Sequence, residues 1–556
     1  MPAIEAEAAG NTLSTIEVNE ATAMERPLYL KDNVMMEPLF NGWYVWPLLI
    51  QPITASMIVT NLHMRIMDSY LKAPDLHAAA AKNPAMRGGP FMDYEGPLEV
   101  VHQLIADTRR RMGFASEITD AVKALDEMLQ SEAQGSSLEE LYPRVPDVLK
   151  GYVELGYDLH HNPSFRMLEG VAYRSKYYRE DLQGLSLSLL EGDHRPFVLS
   201  TPRFSTDENI MVDLPYRSRD IDRLFAMRDH GDSEAFVRQF AESYIVDPAK
   251  REMFYGYFTD TAPVRNADRN FAGSGVRIRY FGHATVLVES ANVTIMTDPV
   301  ISYALEGGVQ RFSYADLPDR IDYVLLTHAH QDHVMFETLL QIRHRIGTVV
   351  VPKNGGGTLQ DPSLKLMLKT VGFENVLEID ELESVSVAGG EIMGLPFFGE
   401  HGDLHIRSKQ AFYVSLEGST MLFAADSNNL EPRLYEHLRD IVGNIQHIFI
   451  GMECEGAPMS WLYGPLFTRK VDRKLDQARR LNGSNYERAL DIVQSFSPES
   501  VYVYAMGKEP WLTYISSISY TEDSLPIVES NKLLAACADH AIRHERLFGE
   551  KTIQLA

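Results

Sequence analysis

The sequence predicts a mainly helical α+β domain followed by an α/β domain of layered strands and helices, and three observations carry this. From about Tyr29 to Asp260, stretches such as EVVHQLIADTRRRMG repeat their apolar residues near the helical period. Beyond a polar, glycine-containing segment, Ala262–Gly275, the chain changes to short runs rich in β-branched and aromatic residues. Helical stretches lie between those runs, the pattern of an α/β layered fold.

Taken in order, the first 25 residues are acidic and rich in small residues and read as a disordered tail; they lack the basic start and apolar core of a signal peptide. Residues 26–262 form one domain and 276–556 a second. Trp43, Tyr44 and Trp46 make an aromatic cluster, placed in a core or at a subunit interface. The apolar stretch Trp46–Val59 is broken by Pro47, Gln51 and Pro52 and is too short to span a bilayer, so it reads as buried helix or loop. In the second domain, VRIRYFGHATVLVES and TIMTDPV read as a hairpin or meander. The strands IDYVLLT, GTVVVP, SVSV, AFYVSL, TMLFAAD and HIFIGME follow. A basic helix around Thr468–Leu481, the strand SVYVYAM and C-terminal helices complete the chain.

Composition narrows the function. The 556 residues are enough for two or more domains, and 45% apolar content supports a sizeable core. The net charge of −25 disfavours nucleic acid and anionic membranes as partners; an acidic partner would need a local basic patch. Two cysteines, Cys454 and Cys537, make neither a disulfide framework nor a thiolate zinc site, and fit a reducing cytoplasm. Cys454 reads as a small buried hydrophobe.

The chemistry concentrates in DYVLLTHAHQDH. An apolar strand ends at Thr327, and His328, His330, Asp332 and His333 follow at once. Imidazoles at alternate positions of a tight turn can bind one ion, and the Asp332–His333 pair can face a second. Two coordination shells need further donors from other strand ends. Asp426 closes the apolar run LFAAD; its carboxylate can bridge two cations, or it can cap a turn. In PFFGEHGD, Glu400 and His401 compete, because successive residues of one strand face opposite sides. In GMECEGAP, Glu453 or Glu455 can orient a ligand or relay protons, or form a polar strand end.

The His-x-His-x-Asp-His signature resembles the metallo-β-lactamase superfamily, with an αββα sandwich and Asp298 in a supporting place. Two departures stand out. Superfamily hydrolases carry a last histidine on the strand that here reads SVYVYAMGKEP, where Met506 or a neighbour sits instead; the next histidines, His540 and His544, fall in the C-terminal helices. Together with GEHGD, AADSNN, GMECEGAP and the opening YLKDNVMMEPLFNGWYVWPLL, the sequence is similar to the dinuclear-iron β-hydroxylase of chloramphenicol biosynthesis and its relatives in nonribosomal peptide pathways.

That resemblance implies a non-heme diiron monooxygenase with two iron ions and dioxygen as co-substrate. It makes Glu400 a ligand in place of the hydrolases' middle histidine. His328, His330 and Glu400 then hold one iron, Asp332 and His333 the other, and Asp426 bridges them. Glu400, Asp426 and Glu453 are the catalytic candidates. It also implies hydroxylation at the β-carbon of an amino acid tethered to a carrier protein in antibiotic biosynthesis, an external electron donor, a cytoplasmic homodimer and an N-terminal domain that covers the site. Two histidines and a carboxylate on one metal independently suit oxygen-activating iron. The basic segment with Arg469, Lys470, Arg473 and Lys474 either docks the acidic carrier or forms a solvated face. The same cluster acting on another small molecule, and a zinc hydrolase of the parent superfamily, remain as alternatives.

Overall fold

The computed structural model describes residues 26–555; the stretch read as a disordered tail lies outside them. The C-terminal half is an αββα sandwich. Its first sheet has seven strands in the order Val376–Ile379, Ile346–Pro352, Ile321–Leu325, Thr294–Thr297, Thr285–Glu289, Val276–Gly282 and Lys551–Leu555. The second runs Ser384–Val387, Gly390–Leu395, Ala411–Leu416, Ser419–Phe423, His447–Gly451, Ser500–Tyr504 and Arg543–Arg546. The continuous apolar runs of the sequence become the parallel central strands, which are covered on both faces and have no polar side to show.

Side chains from both sheets meet in one core, with Ile278, Val286 and Val350 against Phe412, Phe423 and Phe449. The outer face of the second sheet packs Ile448, Ile450 and Val501 against helices Arg433–Val442, Tyr486–Phe496 and Leu525–Asp539. The first sheet is covered by helices Phe336–Ile342 and Leu364–Thr370 and, beyond them, by the N-terminal half. That half is built on a four-stranded antiparallel sheet, Trp43–Tyr44, Val34–Phe40, Gln183–Leu189 and Asn209–Val212, flanked by helices that include Pro52–Ile58, Met64–Lys72, Leu98–Arg111 and Gly113–Glu132. Trp43, Tyr44 and Trp46 are buried within it.

Two expectations are corrected. Only Arg473–Ala478 of the basic segment is helical, because Asp472 caps it at one end and Arg479 is already extended at the other. The chain does not finish in helices: after Leu525–Asp539, with His540 at its end, come two edge strands, and His544 lies in the first of them. Among the described residues, no helix is long and apolar enough to cross a membrane.

Candidate metal centre

Two parallel neighbours deliver the histidine turn. Strand Thr294–Thr297 ends on Asp298 and strand Ile321–Leu325 runs on to Thr327. Asp298 is fully buried; its Oδ1 accepts from the Thr327 amide at 2.7 Å and its Oδ2 from the Thr327 hydroxyl at 2.6 Å. Oδ2 also faces His333 Nδ1 at 2.8 Å. One carboxylate therefore fixes both the entry to the turn and the ring of His333, whose Nε2 then points at Asp426 Oδ2, 3.0 Å away. His330 is turned the other way round: Nδ1 lies 2.8 Å from Glu400 Oε1, and Nε2 is 2.9 Å from the Tyr463 hydroxyl.

Asp426 arrives from strand Ser419–Phe423 of the second sheet through Ala424 and Ala425. Its neighbour must be Gly451, because a Cβ there would stand 2.5 Å from the Ala425 carbonyl and 2.9 Å from Asp426 Oδ1. Glu400 lies beyond strand Gly390–Leu395 in a tight turn at φ 64°, a conformation costly for a side-chain-bearing residue and held by surrounding structure. Because this is a loop, strand alternation does not apply, and Glu400 and His401 both turn inward. They differ in what they meet. Glu400 reaches the histidines, whereas His401 Nδ1 is 3.1 Å from the Gly399 carbonyl and its ring packs on His330 at 4.6 Å between centroids.

Three groups of donor atoms lie within 4.8 Å of one another: His328, His330 and Glu400; His328, His333 and Asp426; and His283, Asp332 and His333. The Asp426 group shares His328 with the first of these and His333 with the last. Several of these atoms, His328 Nε2, Glu400 Oε2 and Asp426 Oδ1 among them, are buried without a hydrogen-bond partner. Buried polar atoms left unpaired in one place are costly unless a cation satisfies them. Burial pushes Glu400 up to about 7 and holds His328 well below the imidazole range. Burial alone would depress His333 too, but Asp426 and Asp298 on either side outweigh it and raise it well above. The three groups draw on four imidazoles and three carboxylates, and each combines two histidines with one carboxylate, the donor set of oxygen-activating non-heme iron.

Glu453 lines a cavity of about 260 Å³ over the donor cluster, beside Asp332, Glu400 and Asp426; burial, then those carboxylates, hold its pKa far above normal. Arg87 and Gly88 of the N-terminal half line it together with Trp461. Cys454 is half-buried rather than buried, with its thiol pushed up to about 11 by burial. Met506 faces the core between the second sheet and its helices, so no donor replaces the hydrolases' last histidine from that strand.

Two residues escaped the sequence reading. His283 sits in the turn between strands Val276–Gly282 and Thr285–Glu289 at φ 50°; it is buried, its Nε2 lies 3.4 Å from Asp332 Oδ2, and its carbonyl accepts from the Ala505 amide. A histidine at a turn between two wholly buried strands was the available signal. Tyr463 gave none, since 133 positions separate it from His330.

A strand-end histidine turn completed by carboxylates from the facing sheet, on an αββα sandwich, defines a dinuclear metallo-β-lactamase-fold enzyme. Residues 29–263 match the diiron non-heme β-hydroxylase N-terminal domain family and residues 293–454 the β-lactamase superfamily domain. The 4-amino-L-phenylalanyl-[CmlP-peptidyl-carrier-protein] 3-hydroxylase of Streptomyces venezuelae is 38% identical over 531 residues, 95% of this chain and 99% of that relative. The crystal structure of CmlA, a diiron β-hydroxylase from Streptomyces venezuelae, superposes with a TM-score of 0.90 at 37% identity, covering 96% of this chain and 100% of that one. An N-acyl-phosphatidylethanolamine-hydrolyzing phospholipase D of Caenorhabditis elegans is 36% identical over only 93 residues, 15% of this chain and 26% of that relative. The chain belongs to the diiron non-heme β-hydroxylases, enzymes that use two iron ions and dioxygen.

Proposed function

We propose that this enzyme hydroxylates the β-carbon of an aminoacyl group held as a thioester on a carrier protein, and that His328, His330 and Glu400 hold one iron, Asp332 and His333 the other, with Asp426 between them. The observation that carries the ligand assignment is the Glu400 carboxylate beside His328 and His330, in a ligand group that His401 does not join. The substrate class is supported by the name of the Streptomyces relative, a 3-hydroxylase of an aminoacyl group on a peptidyl carrier protein.

The overall balance is substrate C–H plus dioxygen plus two electrons and two protons, giving C–OH and water. Bound iron supplies the reductive activation of dioxygen, chemistry that no side chain provides. The protein's share is positioning. Asp298 orients His333 and Tyr463 orients His330. Glu453, whose carboxyl lines the cavity beside the ligands, is placed to hand a proton to the reacting centre. Trp461 and Leu481 give the cavity part of an apolar wall, which disfavours water beside the reacting centre. The electrons come from an external donor. Arg469, Lys470, Arg473 and Lys474 are all exposed and available to an acidic carrier. The same reading takes the enzyme to be a cytoplasmic homodimer with an N-terminal accessory domain over residues 26–262 and a catalytic domain over 276–556, supported by the family resemblance and, for the cytoplasm, by cysteines that stand free.

Protein produced with iron is expected to hold two irons per chain and to consume oxygen once reduced. Glu400→Ala should lower iron retention and oxygen uptake about 100-fold or more, and His401→Ala by about tenfold or less. Equal, slight losses would refute the ligand assignment, and a zinc-loaded protein that cleaves thioesters without oxygen would refute the hydroxylase reading.

A further inference from the structure

The one-turn helix Ser460–Tyr463 borders two hollows. Trp461 lines the cavity over the donor cluster, whereas its neighbour Ser460 lines a groove of about 620 Å³. Four cations reach this groove: Arg65 and Lys123 from the N-terminal half, Arg469 and Lys470 from the sandwich half. They stand together on a chain whose net charge is −25. The acid in the groove, Asp476, is already engaged by the Ser460 amide and hydroxyl at 3.0 and 2.7 Å. Arg469 is paired with Asp126 at 3.2 Å. Arg65, Lys123 and Lys470 have no carboxylate partner among the described residues.

Two of these cations, Arg65 and Lys123, are also held in place. Asn61 Oδ1 accepts from Lys123 Nζ at 3.1 Å and from Arg65 at 3.3 Å, while its Nδ2 donates to the Pro465 carbonyl at 2.7 Å. Asn61 sits in a π-helical segment, Val59–His63, the kind of local widening that recurs at functional sites. Unpaired cations gathered in one concavity repel each other, and a bound anion relieves that repulsion.

We propose that this groove seats the phosphodiester of the carrier's phosphopantetheine arm, with the carrier's acidic face around it, so that the arm rounds helix Ser460–Tyr463 and presents its thioester in the cavity beyond. This rests on the carrier-bound substrate proposed above and adds the N-terminal residues Arg65 and Lys123 to the docking surface.

The test titrates iron-loaded enzyme with 4′-phosphopantetheine and with pantetheine, which differ only in the phosphate. The phosphorylated arm should bind about tenfold tighter or better. The contrast should shrink with added salt and vanish in Arg65→Glu/Lys123→Glu/Lys470→Glu at unchanged iron content. If the triple variant does not fold, Lys470→Glu alone, which breaks no hydrogen bond, should still reduce the contrast severalfold. Equal binding of the two arms, binding of neither, or a contrast that survives these changes overturns the proposal. So does slower reduction of the variants by an acidic ferredoxin with the phosphate contrast intact, which would give the groove to the electron donor. Failure of the hydroxylase reading is visible separately, in the iron content and oxygen uptake of the wild-type enzyme.

Discussion

Tyr463 decides which nitrogen His330 offers to the cluster. With Nε2 engaged by the phenol, Nδ1 is the atom turned toward Glu400, whereas His333 keeps Nδ1 on Asp298 and offers Nε2. Tyr463→Phe keeps the ring volume and removes only the hydrogen bond. Iron affinity, measured by competition with a chelator, is expected to fall about 10- to 100-fold with the fold intact; unchanged affinity would mean that packing alone orients His330. The donor cluster itself was legible because four of its residues, His328, His330, Asp332 and His333, fall in a span of six. Glu400 was not legible from alternation, since the segment after Leu395 is a loop and the pleat argument fails there. Tyr463 and His283 meet the cluster only through long-range folding, which local spacing does not encode.

At the scale of elements, the central strands read correctly because burial on both faces leaves an unbroken apolar signature, as in HIFIGME and SVYVYAM. The edge strand Arg543–Arg546 reads RHER, with no apolar residue to mark a strand, and Lys551–Leu555 is only five residues long, so both looked like part of a helical end. In the basic segment, the charge spacing is helical but Arg479 and Arg480 leave the helix and donate to the Gly402 and Gly456 carbonyls. The π-helical segment Val59–His63 was equally invisible, and it places His63 in the core, stacked on Trp43 with ring centroids 3.8 Å apart. Burial lowers the pKa of His63 to about 3. Unfolded, the same ring titrates near the usual 6.5, so between these values the unfolded chain binds a proton that the folded one refuses. Stability present above about pH 6.5 is therefore lost as the pH falls toward 3, by about 1.4 kcal/mol per pH unit from this residue. Denaturant unfolding at pH 7 and pH 5 checks this: His63→Phe should lose less stability on acidification than the wild type. Identical losses would mean that His63 is protonated in the folded protein.

Across the whole molecule, the two halves were separable in the sequence at Ala262–Gly275, but the way they lock together was not. That segment is pinned rather than loose, with Arg265 bound to Asp32 and Asp229, and Arg269 to Asp229 and Asp319. The deeper lock joins Glu37 and Glu337, 300 positions apart in the chain. Arg195 of the N-terminal half donates to Glu337 at 2.9 Å and to Glu37 at 3.2 Å, and Arg203 makes two further bonds to Glu37. Tyr44 from one half and Tyr303 and Tyr514 from the other also donate to Glu337. Burial works to raise the Glu37 carboxyl, but the two guanidinium groups outweigh it and hold it ionised. A buried network of this kind adds little net stability over an apolar substitute but is costly to break on one side, because the remaining charge is stranded. Arg195→Met should therefore destabilise the protein by about 3–5 kcal/mol, whereas Arg195→Met/Glu337→Gln should recover a large part of that loss, since the tyrosine hydroxyls can still donate to the amide oxygen. Equilibrium unfolding of the two variants decides between this and a merely peripheral contact, for which the single change would cost under about 1 kcal/mol and the second change would rescue nothing.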